Sequence, residues 1–299
     1  MDLITTRGLS KEFIEKTLSL AQKFEPIARE KKRVNVLDGK SVACLFFEPS
    51  TRTQMSFQAA ISLCGGRRIG FGDARASSSV KGESLYDTIK MVDSYASCIV
   101  MRHPLAGSAA KAAEVAEAPV INAGDRDNQH PTQALLDLYT IKKLKGGLDG
   151  LTIQFAGDLK HGRTVHSLAY ALSNYDVTIE LFSPPNVRLP ADIVKELSQS
   201  VKVKEVSAIG GSADVVYATR IQRERFADKE EYEKAAYVID PELMKMLKKD
   251  AILMHPLPRF GEVSEEVDSD PRAKYFEQAF YGLPVRMAVL SLLLNGRDV

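Results

Sequence analysis

The chain has 299 residues, 44% of them hydrophobic, and its 40 Lys+Arg against 39 Asp+Glu leave a formal net charge of +1. This length suffices for two domains of about 150 residues with real cores. The near-neutral balance excludes a global field drawing the molecule onto nucleic acid or an anionic membrane, so any electrostatic attraction has to be local.

The opening MDLITTRGLSKEFIEK has no basic start, apolar stretch or small-residue cleavage site, and no apolar run approaches the ~18 residues of a membrane span. A cytoplasmic protein with no membrane partner is expected. Residues 10–29 carry helical spacing, and SVACLFF (41–47) reads as the first strand. Gln54 to Leu63 is helical, RRIGF (67–71) a strand, Ser84 to Tyr95 a helix, and SCIVM (97–101) and APVIN (118–122) strands. Thr132 to Lys143 reads as a helix, LTIQFAG (151–157) as a strand, Thr164 to Ser173 as a helix, and VTIELF (177–182) as a strand. After the helical stretch Ala191 to Ser200 come two more strands, ADVVYA (213–218) and AILMH (251–255), and a closing helix from Arg286 to Asn295. Cys44, Cys64 and Cys98 are odd in number and lie in or beside apolar runs, so small buried thiols are expected and no disulfide framework.

Apolar strands alternating with helices imply an α/β protein made of two open parallel-sheet α/β domains with helices on both faces. The paired glycines of KLKGGLDG (143–150) mark a candidate boundary. In such sheets ligands bind beyond the carboxyl ends of the strands, and the polar clusters fall there: FEPSTRT, MRHP, GDLKHGR, ATRIQRER and HPLPR.

Ser50-Thr51-Arg52-Thr53 places hydroxyls and a guanidinium where a helix begins. That helix end carries about +0.5 charge, so an arginine there costs roughly 0.3 to 1 kcal/mol unless an anion joins it. The plainer account is an N-cap serine with surface neighbours; the sharper one is a phosphate cradle. It is not a Walker loop, because G-x-x-x-x-G-K is absent. RASSSVKGES (75–84) is a solvated turn or a strap over a bound phosphate, and the sequence does not choose. His103 in MRHP reads as structural, whereas His130, between Gln129 and Gln133 at a loop-to-helix junction, is placed to donate to a carbonyl oxygen. GDLKHGR lacks the G-x-G-x-x-G spacing, so a dinucleotide cofactor is not expected. Arg163, Arg220 and Arg225 are candidates for grasping carboxylates, against the alternative of helix-surface arginines. No nucleophilic triad, no H-E-x-x-H and no cysteine pair is present, so neither covalent catalysis nor a metal is expected. Positioning and electrostatics remain.

The set STRT, SSSVKGE, MRHP, NQHPTQ, GRTVHS, TRIQRER and HPLPR, in this order over nearly the full length, resembles the catalytic chains of aspartate carbamoyltransferases. Ornithine carbamoyltransferases, the alternative reading, share STRT and HPTQ but typically carry H-C-L-P where this chain has His255-Pro256-Leu257-Pro258-Arg259. The resemblance implies a carbamoyl phosphate-binding domain of residues 1–131 plus 284–299 and an L-aspartate-binding domain of residues 132–283. It also implies a pyrimidine-biosynthetic transferase without cofactors, a homotrimer with shared active sites, and the possibility of a separate regulatory chain. By matching position, Ser50, Thr51, Arg52, Thr53, Arg102, His130 and Gln133 would hold carbamoyl phosphate, with Ser77 and Lys81 reaching in from a neighbouring chain. Arg163, Arg220 and Gln222 would hold aspartate, Leu257 would give backbone contacts to both substrates, and Lys81 would also face aspartate. Glu48 would bridge to Arg163 and Arg225 in a closed form, and Tyr281 replaces an asparagine of the better-known bacterial pattern. A non-catalytic phosphate-ligand scaffold is the reading from another class.

Overall fold

The computed structural model describes residues 1–73, 81–221 and 237–295. The chain divides into two compact units, Met1–Tyr139 with Phe280–Val299, and Thr140–Ala279. The first unit holds a parallel sheet of β1 (Ser41–Phe46), β2 (Arg67–Phe71), β3 (Cys98–His103) and β4 (Val120–Asp125), ordered β2-β1-β3-β4. Its helices are α1 (Lys11–Arg29), α2 (Thr51–Leu63), α3 (Leu85–Asp93), α4 (Ser108–Val115) and most of α5 (Pro131–Lys145). In the second unit β5 (Thr152–Ala156), β6 (Thr178–Phe182), β7 (Lys202–Glu205), β8 (Val215–Ala218) and β9 (Ile252–Met254) form a parallel sheet ordered β7-β6-β5-β8-β9. Here α6 (Arg163–Leu172), α7 (Ala191–Leu197) and α8 (Pro241–Met246) follow β5, β6 and β8; α9 (Tyr275–Asn295) starts in this unit and from Phe280 belongs to the first.

Every apolar run read as a strand forms one. The central strands are apolar along their whole length because helices cover them: Val42, Ala43, Cys44, Leu45 and Phe46 of β1 are at most 1% exposed. Burying a Val, Leu or Phe side chain contributes about 1.5 to 3 kcal/mol, so these few positions outweigh any local propensity. The exception to legibility is β7, KVKE, an exposed edge strand whose lysines and glutamate hide the pattern. The closing helix is longer than expected, beginning at Tyr275 rather than Arg286. Gly282 and Pro284 look like breakers in sequence, and an interior proline costs a helix about 3 kcal/mol. Complete burial of Tyr281, Val285, Met287, Ala288, Val289 and Leu290 offsets that cost.

Two glycines matter for how the second sheet ends. At Gly157 (φ +118°) a Cβ would overlap the Thr219 carbonyl oxygen and lie 2.7 Å from Thr219 Oγ1. At Gly162 it would lie 2.7 Å from the Asp158 carbonyl oxygen. The glycines of GDLKHGR therefore let backbone segments approach each other.

The three cysteines are free and buried, at 0 to 1% exposure, and burial pushes the Cys44 and Cys64 thiols up to about 12 and Cys98 upward as well. A thiol reagent at pH 8 is therefore expected to label none of them until denaturant unfolds the chain; stoichiometric labelling of the native protein would contradict this burial. Gly157→Ala should destabilise the chain by about 2 kcal/mol or more, read as a lower denaturant midpoint at unchanged slope, because the left-handed backbone and the Thr219 clash act together.

Candidate active site

In the first sheet the strand order reverses between β1 and β3, where Phe46 pairs in register with Arg102. Loops leaving two neighbouring strands in opposite directions open a crevice at such a point. The loop after β1 runs into α2, whose N-cap Ser50 makes no side-chain cap bond and whose first turn has no acid but contains Arg52. Three other helices follow the usual rule. Ser10 accepts from Phe13 N–H with Glu12 in the first turn of α1, Ser84 accepts from Asp87 N–H in α3, and Asp240 accepts from Leu243 N–H with Glu242 in α8. The start of α2 is thus left open to an anion.

Ser50, Thr51, Arg52 and Thr53 lie together on this turn, with Thr51 and Arg52 exposed and Thr53 buried. Among the described residues Arg52 has no hydrogen bond or ion pair, and desolvation lowers its pKa from the ordinary arginine value. Thr53 Oγ1 stands 3.5 Å from His130 Nε2, a distance that brings the groups to one place without a strong bond. Arg102 at the end of β3 is 8% exposed and spreads its fork: Nη2 donates to Glu48 Oε1 at 2.7 Å and Nη1 to the Ala123 carbonyl at 3.4 Å. Gln133, in the first turn of α5, donates through Nε2 to Asp137 Oδ1 at 3.0 Å. Lys81 is exposed and, among the described residues, makes no hydrogen bond or ion pair. Ser77 lies outside the described residues.

His130 owes its place to Asp125, which the sequence reading missed. This carboxylate is 1% exposed and accepts four hydrogen bonds. Oδ1 takes Asn122 Nδ2 at 2.9 Å and Gln129 N–H at 3.0 Å, and Oδ2 takes Gly107 N–H at 2.8 Å and Asn128 Nδ2 at 2.8 Å. Gln129 Oε1 in turn accepts from Thr6 N–H and Oγ1 at 3.2 and 3.1 Å. The turn leading into His130 is therefore held from both sides. The available signal was an aspartate ending a strand with asparagines at −3 and +3. His103 is structural: its Nδ1 accepts Leu105 N–H at 3.1 Å and lies 2.9 Å from Ser108 Oγ, while burial lowers its pKa.

In the second sheet the order reverses between β5 and β8, which carry Arg163 and Arg220 on their following segments. Helix α6 repeats the anomaly of α2: Gly162 gives no side-chain cap, the first turn has no acid, and Arg163 is its first residue. Asp158, 1% exposed, folds the preceding loop by accepting His161 N–H at 3.0 Å. Arg220 places its guanidinium 4.9 Å from the centroid of the Phe260 ring. Leu257 is half-buried, with φ +55° and a cis bond to Pro258. Gln222 and Arg225 lie outside the described residues, and Glu48 is engaged by Arg102 as above. Among the described residues no group of three or more His, Cys, Asp and Glu could hold a metal ion, and no helix is long and apolar enough to cross a membrane.

Each unit thus presents an uncapped, acid-free helix start with an arginine in its first turn, Arg52 in one and Arg163 in the other, open to an anion. Residues 1–143 match the family model for the carbamoyl-P binding domain of aspartate/ornithine carbamoyltransferase, and residues 149–293 match that for its Asp/Orn binding domain; the chain belongs to this family. Within it the similarity is to aspartate carbamoyltransferase catalytic subunits. That of Thermococcus gammatolerans is 53% identical over 300 residues, covering 98% of this chain and 97% of the relative. The solved catalytic subunit of M. jannaschii aspartate transcarbamoylase superposes with a TM-score of 0.92 at 48% identity, covering 99% of both chains. Aspartate transcarbamoylase from Trypanosoma cruzi in complex with carbamoyl phosphate and aspartate gives 0.91 at 39%, covering 97% of this chain and 95% of that one.

Asp125→Asn keeps the size of the side chain but turns an NH2 toward groups that donate. We expect a loss of about 2 to 3 kcal/mol in stability together with a fall in turnover, from denaturant titration and steady-state rates; a variant matching the parent in both would remove Asp125 from the scaffold of His130.

Proposed function

We propose that the chain transfers the carbamoyl group of carbamoyl phosphate to the α-amino group of L-aspartate, giving N-carbamoyl-L-aspartate and phosphate. The observation that carries the reading is the open, acid-free start of α2 with Arg52 on it, beside Thr53, His130 and Arg102. Family membership and the substrates bound by the Trypanosoma cruzi neighbour support it.

Carbamoyl phosphate is a mixed anhydride with phosphate as leaving group, so no covalent relay is required. The neutral α-amine of aspartate attacks the carbonyl carbon, and the C–N bond forms as charge moves onto the carbonyl oxygen. Thr53, Arg102 and His130 donate there. The tetrahedral species collapses by breaking the C–O bond to phosphate, and the proton of the attacking amine passes to an oxygen of the departing phosphate. Arg52, Ser50, Thr51 and the α2 N–H groups take up the charge of the leaving phosphate, and Gln133 helps orient the carbamoyl group. In the first unit this is the carbamoyl phosphate site; in the second, Arg163, Arg220 and Gln222 hold the carboxylates of aspartate, and Leu257 offers its backbone to both substrates. Ser77 and Lys81 reach the site from a neighbouring copy in a homotrimer, which accounts for an ammonium at position 81 that finds no partner among the described residues of its own chain. Glu48 exchanges Arg102 for Arg163 and Arg225 as the enzyme closes. A cytoplasmic location and the possibility of a separate regulatory chain belong to the same reading, as does the division into a carbamoyl phosphate domain of residues 1–131 plus 284–299 and an aspartate domain of residues 132–283.

Labelled carbamoyl phosphate offered with aspartate and with ornithine in turn should give carbamoyl aspartate at a rate at least 100-fold above carbamoyl ornithine; dominant carbamoyl ornithine would overturn the choice of acceptor. Arg52→Ala should lower kcat by about 10² to 10³ with a small change in the aspartate KM, and Gln222→Ala should chiefly raise that KM. The reverse pattern in steady-state kinetics would exchange the two roles.

A further inference from the structure

The tripeptide His-Pro-Leu occurs twice, at residues 103–105 and 255–257. In both copies the imidazole Nδ1 accepts the N–H of the leucine two residues on, at 3.1 Å from Leu105 and 2.8 Å from Leu257. Proline has no N–H, so the leucine amide is the first donor available after each histidine. The two copies differ in what holds the ring. At His103 the remaining polar contact is the Ser108 hydroxyl. At His255, only 2% exposed, Nε2 lies 2.7 Å from Glu262 Oε1.

The proton positions follow from the partners. Nδ1 accepts, so the proton of the neutral imidazole sits on Nε2 and is donated to the Glu262 carboxylate. Glu262, 8% exposed, uses its other oxygen to accept Phe260 N–H at 2.9 Å. Burial would raise the Glu262 carboxyl, but the bonds from His255 and from backbone N–H groups hold it below the ordinary glutamate range. His255 N–H donates to Gln278 Oε1 at 2.9 Å, which fixes the ring's own backbone. One buried imidazole–carboxylate pair therefore grips the 255–262 loop at two points. The first is Leu257, whose φ of +55° is unusual for a leucine and persists only if its surroundings impose it. The second is Phe260, whose ring, 68% exposed, carries the Arg220 guanidinium.

We propose that His255 and Glu262 are positioning residues for carbamoyl transfer. Through Leu257 they aim the loop backbone offered to the substrates, and through Phe260 they set the seat of Arg220. The inference rests on the functional reading above, since it assumes Leu257 and Arg220 meet the reactants. Neither His255 nor Glu262 touches substrate in this scheme; each acts through a neighbour.

The test compares His255→Leu, His255→Asn and Glu262→Ala with the parent enzyme. Leucine fills the space but accepts nothing, whereas the asparagine Oδ1 stands close to the position of Nδ1 and can accept Leu257 N–H. A loop displaced by about 1 Å costs about 100-fold in rate, so kcat of the leucine variant should fall about 100-fold and the asparagine variant should recover at least tenfold of that. The affinity for inorganic phosphate, measured by calorimetry, should stay within about threefold, because the α2 cradle belongs to the other unit. Should the leucine variant fail to fold, Glu262→Ala carries the test: hydrogen exchange in the 255–262 peptide should speed up and kcat drop about tenfold, again with phosphate affinity kept. Turnover within twofold of the parent, asparagine no better than leucine, or a parallel collapse of phosphate affinity would each overturn the positioning role. A parent enzyme that makes no carbamoyl aspartate would instead sink the functional reading, and the positioning role with it.

Discussion

Two helices of this chain, α2 and α6, carry an arginine in a first turn that has neither a side-chain cap nor an acid, where the physics of helices asks for an anion. The aligned peptide dipoles and unpaired N–H groups of a helix start amount to about half a positive charge, and an adjacent arginine adds a full one. At α2 and α6 neither an acidic side chain nor a capping oxygen offsets this, although α1, α3 and α8 show that the sequence supplies both elsewhere. Each unit thus carries an electrostatic cost of roughly 0.3 to 1 kcal/mol at a helix start, which a bound anion offsets. The topology decides where. Both helices follow strands at which the order of their sheets reverses, the place where open α/β sheets take their ligands.

A field this local works only if the surrounding donors stay fixed. The chain does this with carboxylates that are themselves buried and fully used. Asp125 gathers four donors around the turn before His130, Asp158 folds the loop before Arg163, and Glu262 closes the loop carrying Leu257 and Phe260. Each is at most 8% exposed, a burial that would cost several kcal/mol for an unpaired charge and is stable only because every oxygen finds donors. In the proposed arrangement positive groups face the reactants and these buried carboxylates stand behind, bound to backbone, which reconciles a nearly neutral composition with arginine-rich loops.

The strands were legible because covered parallel sheets demand unbroken apolar runs, and SVACLFF or LTIQFAG cannot be much else. The arginines were legible for a related reason: an arginine beside three hydroxyls at a helix start conflicts with local electrostatics, and such conflicts mark function. What stayed hidden had at most a weak local signature. Edge strand β7 reads as a polar turn, and the first three turns of α9 were masked by Gly282 and Pro284, whose cost is met by tertiary burial. At Gly282 the missing Cβ leaves room for the buried Arg286 guanidinium, whose Nη1 would otherwise have to shift. Asp125 and Glu262 were passed over because an acidic residue at a strand end or in a polar loop is ordinary; only its burial and the convergence of donors on it, most of them a few residues away along the chain, distinguish it.

The choice of acceptor can be argued from repulsion as well as attraction. Aspartate offers two carboxylates, and planar guanidinium forks match carboxylates bidentately. Ornithine of nearly the same reach ends in an ammonium. Placed against Arg163 and Arg220, that ammonium meets like charge, and at an effective dielectric near 20 two such charges 4 Å apart repel by about 4 kcal/mol before solvent reorganises. A discrimination of 100-fold needs only about 2.7 kcal/mol. The arginines of the second unit are thus sufficient, in the proposed arrangement, to exclude the competing amino acid without any contact evolved against it. Stacking Arg220 on Phe260 strengthens the effect by holding the cation in place, because a guanidinium free to swing into solvent would yield to ornithine at little cost.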